Sequence, residues 1–553
     1  LISRGIQQPA IAVLSILLGV LAGSSCLLPL AGYALPIVAA VNQHFCVLAW
    51  GLLLLLYAFS HNEKHWRTSV ILALSIGALG NACIALIQFF GPPVEQYPEW
   101  LYSWVMPTST PGRAIGNIGQ PNHLAIFIAM GAAAWGGAAA SGRIKADGAW
   151  VGMALLMWGI ILTSSRTGYS VIAFLCTWGL IDKRMSRNCR FLLVSTPLMA
   201  LAAWQAMDIL RDYLSLRFGR EDIDSFMNLS TREVIWANTI EMIKAQPWNG
   251  VGWGNFNFAW MMTAFDKRPV EIFDHAHNFV LQIIVELGIV VGGAVLIGLT
   301  VAFIYAAKQS WSDSTSAGFE RRAAIVALLM VGFHSMLEYP LWYPYFLMPT
   351  LAAALLALGF QIKPQPDQIR PTGNEQCHPD LGPQTIPAIR LRRWLVVLVG
   401  GAMVIGSGLS WWDYQKITPI FSRPTLLAKS MQSRIAVGQS ALWYYAYADT
   451  AMLRPELFQQ NQAWTPAAEH ALKSAAHHLL HFRTMAIWAY ALHARGLPGD
   501  TQKAKYIAAR VREFPIPIAQ SWFEECKNPS KDSEPLPFQC TPPTEQFTWR
   551  DFY

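Results

Sequence analysis

Apolar residues run along this chain in long uncharged blocks, not in the short alternations or narrow helical stripes of a water-soluble domain. Blocks lie near 9–30, 34–58, 69–90, 121–140, 148–163, 167–181, 191–207, 278–306, 323–338, 341–361 and 394–412. A helix rises 1.5 Å per residue, so roughly 20 apolar residues cross the ~30 Å hydrocarbon core of a bilayer. The pattern therefore predicts about 11 transmembrane helices in an all-α polytopic membrane protein. The first block is a full-length span followed by further spans, not a cleaved signal peptide.

The blocks also set the organisation. Residues 1–120 hold the first spans and a Pro- and Gly-rich loop, and 121–361 form a core interrupted by the polar loop 208–277. A Pro- and Gln-rich linker (362–393) and a last span (394–412) precede a water-soluble segment, 413–553. Within that segment Ala467–Leu480, Met485–His493 and Thr501–Phe514 are helical in pattern, with Gly496-Leu-Pro-Gly as a turn. Close-packed alanines and a helix–turn–helix of this length resemble a tetratricopeptide unit, a module that binds peptides or partner proteins. In the large loop, Ser230-Thr-Arg-Glu233 reads as a capping box that puts Arg232 in the first turn of a helix ending at Pro247, where the dipole favours an anion.

Composition agrees: 53% of the 553 residues are hydrophobic and 14% charged, against about 25% charged in soluble domains, and mean hydropathy is +0.30. Alternate loops, together with Arg4, hold 17 Lys and Arg, and the other loops up to residue 340 hold 9. The positive-inside rule then places the amino terminus in the cytoplasm and everything after residue 412 outside. The net charge of +7 is largely this topology signal, so nucleic acid is not an expected partner. Of eight cysteines, Cys526 and Cys540 lie in the external tail, where an oxidising compartment could pair them.

Candidate chemistry gathers at the external ends of spans. His275-Ala-His277-Asn278 stands where the large loop enters the apolar run from Phe279; imidazole is the side chain suited to proton transfer near neutral pH. Asn278, Gln282 and Glu286 continue as a polar stripe at i, i+4 and i+8, costly in hydrocarbon and so expected to face protein. Arg166, in Thr163-Ser-Ser-Arg-Thr-Gly168, is an interfacial anchor or a phosphate ligand. In His334–Tyr345 an aromatic belt accounts for Trp342, Tyr343 and Tyr345 but not for Glu338. Gly250-Val-Gly-Trp-Gly254 reads as a flexible loop rather than a nucleotide loop. His470, His477, His478 and His481 fall near one helical face without a carboxylate at metal-ligand spacing.

His277-Asn278 followed at Gly288 by glycine resembles the signature of the O-antigen ligase/polymerase superfamily. Gly116-Asn-Ile-Gly-Gln120-Pro-Asn122-His123, Ser165-Arg166-Thr167 and Glu338-Tyr339-Pro-Leu-Trp-Tyr343 narrow the likeness to PglL-type protein O-oligosaccharyltransferases. The resemblance runs from about residue 70 to 361 and more weakly through the tail. It implies a GT-C-like ligase fold in the bacterial inner membrane, with the active site and the carboxy-terminal domain in the periplasm. It also implies en bloc transfer of a glycan from undecaprenyl pyrophosphate to Ser or Thr of exported proteins such as pilins. His277, Gln120 and Tyr339 would be catalytic, and Arg166, Arg232 and Ser165 would bind the donor pyrophosphate. His275, Asn278, Asn122 and Glu338 would support them, with no metal and no cofactor. Pro121 and His123 vary in the family, which leaves the backbone at Gln120 open.

Other readings stand beside this one. An O-antigen ligase or repeat-unit polymerase shares the chemistry, and a lipid-linked glycan transporter is a different class. Trp411-Trp-Asp413-Tyr414 resembles the WWDYG motif of asparagine-linked oligosaccharyltransferases, but Gln415 replaces the glycine and the acidic residues those enzymes need for a metal are sparse: Glu95 and Glu99, or Asp222 and Asp224.

Overall fold

The computed structural model describes residues 63–91, 112–214, 227–359, 385–421, 430–453, 465–527 and 536–553, with the isolated positions 51, 96 and 105. The described residues are helical, without strands. In chain order the longer helices are α1 (Glu63–Phe90), α2 (Pro121–Ala140), α3 (Ala146–Leu162), α4 (Arg166–Ile181), α5 (Arg187–Val194) and α6 (Thr196–Leu214). Then come α7 (Met227–Ala245), α8 (Phe256–Met262), α9 (Phe279–Ser312), α10 (Ser316–Ser335), α11 (Pro344–Leu358) and α12 (Thr385–Tyr414). The tail adds α13 (Met431–Gln439), α14 (Tyr445–Met452), α15 (Pro466–His478), α16 (Phe482–Arg495) and α17 (Asp500–Arg512).

Apart from residue 51 the expected spans 9–30 and 34–58 lie outside the described residues; each later one falls on a helix, except 191–207, which falls across α5 and α6. Among the described residues α1 (from Trp66), α2 and α9 are long and apolar enough to cross a membrane. The pair α5 and α6, bent by 42° at Ser195, adds a fourth if it counts as one span. The protein is thus a helical membrane protein. Two expectations shift. α10 starts at Ser316 and carries Glu320, Arg321 and Arg322, because ion pairs absorb those charges. α7 starts at Met227, so Ser230 lies inside the helix, the capping box is not formed and Arg232 is beyond the first turn.

The chain divides into two compact units. One comprises residues 49–225 and 297–401, and its centre is α2, which packs against α1, α3, α4 and α10. Small residues allow that close approach: a Cβ on Gly131 would stand 2.0 Å from Ala78 Cβ, and one on Gly137 2.6 Å from Ala323 Cβ. Backbones brought this near gain dispersion energy, the main attraction between helices in lipid. The basic loops expected in the cytoplasm meet at one end of this unit. Glu320 accepts Arg67 Nε at 3.0 Å and Arg143 Nε at 2.5 Å. Arg322, fully buried, pairs with Asp182 at 2.6 Å and donates to the carbonyls of Ser310 and Asp313.

The other unit joins residues 226–296 to 402–553, so the large loop and the tail share one core. Trp260, Phe256 and Met261 of α8 pack with Leu472, Met485, Ile507 and Phe514 of the tail. Arg268, buried, clamps this core: it pairs with Glu513 at 2.9 Å and donates to the carbonyls of Trp260, Met261 and Thr263. Asn257 accepts from Leu480 N at 2.7 Å and donates to Phe273 O at 3.1 Å. Arg495 ties α15, α16 and α17 together through Glu469 (2.8 Å) and Asp500 (2.7 Å). Cys526 and Cys540 form a disulfide. The four tail histidines take separate places: His470 lies on Tyr445, His478 on Tyr447, and His481 caps α16. His477 sits between Phe258 and Tyr553.

Two outcomes follow. Arg322→Met leaves buried Asp182 with only the half-exposed Arg184, 3.9 Å away, as a cation and should cost about 3 kcal/mol, read as a lower melting temperature in detergent; adding Asp182→Leu should restore most of it. Burial, with nearby Lys473, lowers the His477 pKa to about 4, below its unfolded value of about 6.5. The unfolded chain therefore takes the proton first. This contribution is complete above pH 6.5 and declines as pH falls toward 4, by about 3 kcal/mol in all. His477→Phe should flatten that slope in acid unfolding.

Candidate active site

Gln120, Asn122, Ser165, Arg166, Glu338 and Tyr339 belong to the α2-centred unit, and Arg232, His275, His277 and Asn278 to the unit that includes the tail. In the first group the organiser is Asn122. Its Oδ1 accepts from Ser165 Oγ at 2.9 Å and from Arg113 Nη2 at 3.3 Å, and its Nδ2 donates to Glu338 Oε1 at 3.4 Å. Arg113 Nε also donates to Thr163 O at 3.0 Å.

Local rules explain each placement. Ser165 is the N-cap of α4, its Oγ accepting from Gly168 N at 3.1 Å, and the residue before it, Ser164, turns the chain at φ 48°. Arg166 is therefore the exposed first residue of α4, beside backbone N–H groups that favour an anion. Gln120 caps α2 by accepting from His123 N at 2.6 Å, and Pro121 occupies the first helical position, where a missing N–H is tolerated. The Gly116 turn is held from α1, where Gln88 Oε1 accepts from Ile115 N and Gly116 N, and Asn81 Oδ1 from Asn117 N.

Tyr339 stacks on Tyr343 at 5.7 Å and Tyr343 on Tyr345 at 5.2 Å. Tyr345 Oη lies 3.1 Å from Nδ1 of buried His123. His123 also meets Tyr343, His334 and Phe346 edge-on. The tyrosines expected as a membrane belt are thus partly an internal packing ladder.

In the other unit His277 takes a left-handed backbone, φ 51°, uncommon for a residue with a side chain, and its ring meets Phe273 edge-on at 5.1 Å. Buried His275 pairs with Asp274 at 2.8 Å. Burial alone would raise the Asp274 carboxyl, but the two imidazoles and a backbone hydrogen bond hold it below the usual carboxylate range. Asn278 caps α9 by accepting from Leu281 N at 3.1 Å, and Gln282 Oε1 accepts from Ala276 N at 2.7 Å. The stripe faces protein as expected: Gln282 and Glu286 are 2% and 3% exposed.

α9 is broken at Gly288, φ 74°. The loop expected to be flexible is strapped to the break. Val251 N donates to Val285 O (2.8 Å), Gly252 N to Glu286 O (3.0 Å), and Ile289 N to Pro247 O (2.7 Å). A Cβ on Gly288 would lie 1.9 Å from Trp248 O. The glycine of the histidine signature is therefore required by geometry. Asp413 accepts from Leu442 N, Trp443 N and Lys416 Nζ, while Trp411 and Trp412 are exposed. The rival motif is thus a backbone cap flanked by surface tryptophans. Its other carboxylates, Glu95, Glu99, Asp222 and Asp224, lie outside the described residues. Arg113 and Asp274 escaped the sequence reading; a charged residue beside a motif was the available signal.

A family model described as O-antigen ligase matches residues 151–297. A second, the C-terminal part of a virulence-factor membrane-bound polymerase, matches 323–520. The first takes in Arg166, Arg232, His277 and Gly288, and the second Glu338, Tyr339 and the tail helices. Over residues 151–297 the chain carries an O-antigen ligase domain. It is also 25% identical over 256 residues to a general O-oligosaccharyltransferase of Acinetobacter baylyi, across 43% of this chain and 42% of that relative. The match therefore spans less than half of the relative's length. In this protein, Gly288→Ala should cost more than about 3 kcal/mol from strain and clash, seen as a large drop in melting temperature. Gly293→Ala, where added volume meets open space, should leave it near wild type.

Proposed function

We propose that this protein is a PglL-type O-oligosaccharyltransferase, moving a preassembled glycan from undecaprenyl pyrophosphate to Ser or Thr of an exported protein such as a pilin. The observation that carries this reading is His277, held in a left-handed turn by buried polar partners at the head of a broken apolar helix. The two family matches and the Acinetobacter relative support it. The reading requires His277 and the Asn122 group to face one donor at the periplasmic side of the inner membrane. The Cys526–Cys540 disulfide supports an oxidising compartment for the tail.

In the reaction, the acceptor hydroxyl loses its proton to the His277 imidazole as its oxygen attacks the anomeric carbon. The bond from that carbon to the pyrophosphate oxygen breaks, and undecaprenyl pyrophosphate leaves with the electron pair, giving inversion. Arg166 and Arg232 stabilise the charge on the leaving group, without a metal. Ser165, Asn122 and Glu338 fix the loop that bears Arg166, while Gln120 and Tyr339 orient donor or acceptor. His275 and Asn278 set the turn at His277. Ligation to a lipid A core, or repeat-unit polymerisation, is the second reading, favoured by the descriptions of the two matching families.

Purified protein in detergent, mixed with radiolabelled lipid-linked glycan and pilin, should glycosylate the pilin with EDTA present. His277→Ala should abolish transfer while keeping the wild-type melting temperature. Transfer to lipid A core or to a second glycan instead would favour the second reading, and undiminished transfer by His277→Ala would overturn the mechanism.

A further inference from the structure

The mechanism uses His277 but leaves two buried polar groups unemployed, Gln282 and Glu286, one and two turns into α9. Both are almost wholly covered, and a carboxylate so placed is costly unless its oxygens are satisfied. The backbone N–H groups of Gly254 and Phe256 and the side-chain amide of Gln282 all act on the Glu286 carboxylate. Gln282 Oε1 accepts from Ala276 N at 2.7 Å, which leaves the N–H side of that amide for the carboxylate. Ala276 immediately precedes the left-handed residue, His277. An amide alone can present either end; an acceptor-only carboxylate on one side removes that choice.

We propose that Glu286 and Gln282 form a positioning pair that holds the His277 imidazole in its working orientation. Glu286 sets the direction of the Gln282 amide, and Gln282 pins the peptide before His277. Glu286 simultaneously anchors the 250–256 strap, whose Val251 and Gly252 N–H groups close the helix break. The imidazole is thereby fixed from the same frame that fixes Gly288. The inference rests on His277 being the base, and it adds two residues that act through His277 without touching substrate.

The pair predicts a specific rescue. Glu286→Gln puts an amide where only acceptors fit, so one N–H donor faces another and the Gln282 amide is free to flip. Combining Glu286→Gln with Gln282→Glu, which exchanges the two side chains, satisfies every group again. The amide now at position 286 accepts from the strap through its carbonyl and donates through its N–H to the carboxylate now at position 282. That carboxylate in turn accepts from Ala276 N. A misplacement of the base by about 1 Å costs on the order of 100-fold in rate.

The test uses full-length protein in detergent with lipid-linked glycan and pilin, alongside amide hydrogen exchange of the 275–278 segment. Glu286→Gln and Gln282→Leu should each lower kcat about 100-fold, leave donor KM within about 3-fold, and speed hydrogen exchange at 275–278. The double variant should recover kcat to within about 10-fold and restore protection. Wild-type kcat in Glu286→Gln overturns the proposal, as does a double variant that regains its melting temperature but neither rate nor protection. If the wild type transfers no glycan, the proposed function fails on its own. Protection at 275–278 in the single and double variants then decides the positioning pair.

Discussion

A helix that breaks must find new partners for the backbone groups it frees, and in apolar surroundings water does not supply them. α9 meets this constraint at Gly288. The carbonyls of Val285 and Glu286 and the N–H of Ile289 are taken by residues 247–252, at a separation only glycine permits. Much of that unit depends on the bond set. The strap leads into α8, and the N–H groups of Gly254 and Phe256 at its start act on the Glu286 carboxylate. α8 in turn presents Asn257 and Trp260 to the tail core. A single backbone irregularity therefore links the histidine turn to helices more than 200 residues later in the chain.

The α2-centred unit solves a different problem with the same economy of polar groups. Along its middle, Gly131 and Gly137 let backbones nearly touch, which needs no polar glue. Polar side chains are kept to the ends. One end carries Arg67, Arg143, Asp182, Glu320 and Arg322 in closed ion pairs, and Arg113, Asn122, Ser165 and Glu338 form a separate, more open cluster. Closed pairs fix helix ends. An arrangement with an exposed Arg166 at a helix start suits an anionic ligand.

Helix positions were legible because apolar run length is a nearly sufficient signal in membranes: α2 begins and ends where its run does. Charges misled at α10, since a window rejects Glu320 and Arg322 that the folded bundle neutralises. The capping box at Ser230 failed because a local motif cannot say whether helix already precedes it. At the site, motif residues such as Asn122, Ser165 and Glu338 were readable and do meet. Arg113 was not, because its role exists only once Thr163 and Asn122 are adjacent. The strap at 247–252 was invisible for the same reason: glycine permits both looseness and close contact, and only the partner distinguishes them.

The shared carboxylate of Glu320 carries a consequence for how the protein is made. Its two arginine partners precede it by 253 and 177 residues. At a synthesis rate of about 5–20 residues per second, that is roughly 10–50 s of translation. Through that interval the insertion machinery or lipid headgroups must shelter both cations. The bundle can therefore seal at that end only after α10 has left the ribosome, which makes assembly of the early helices provisional by construction.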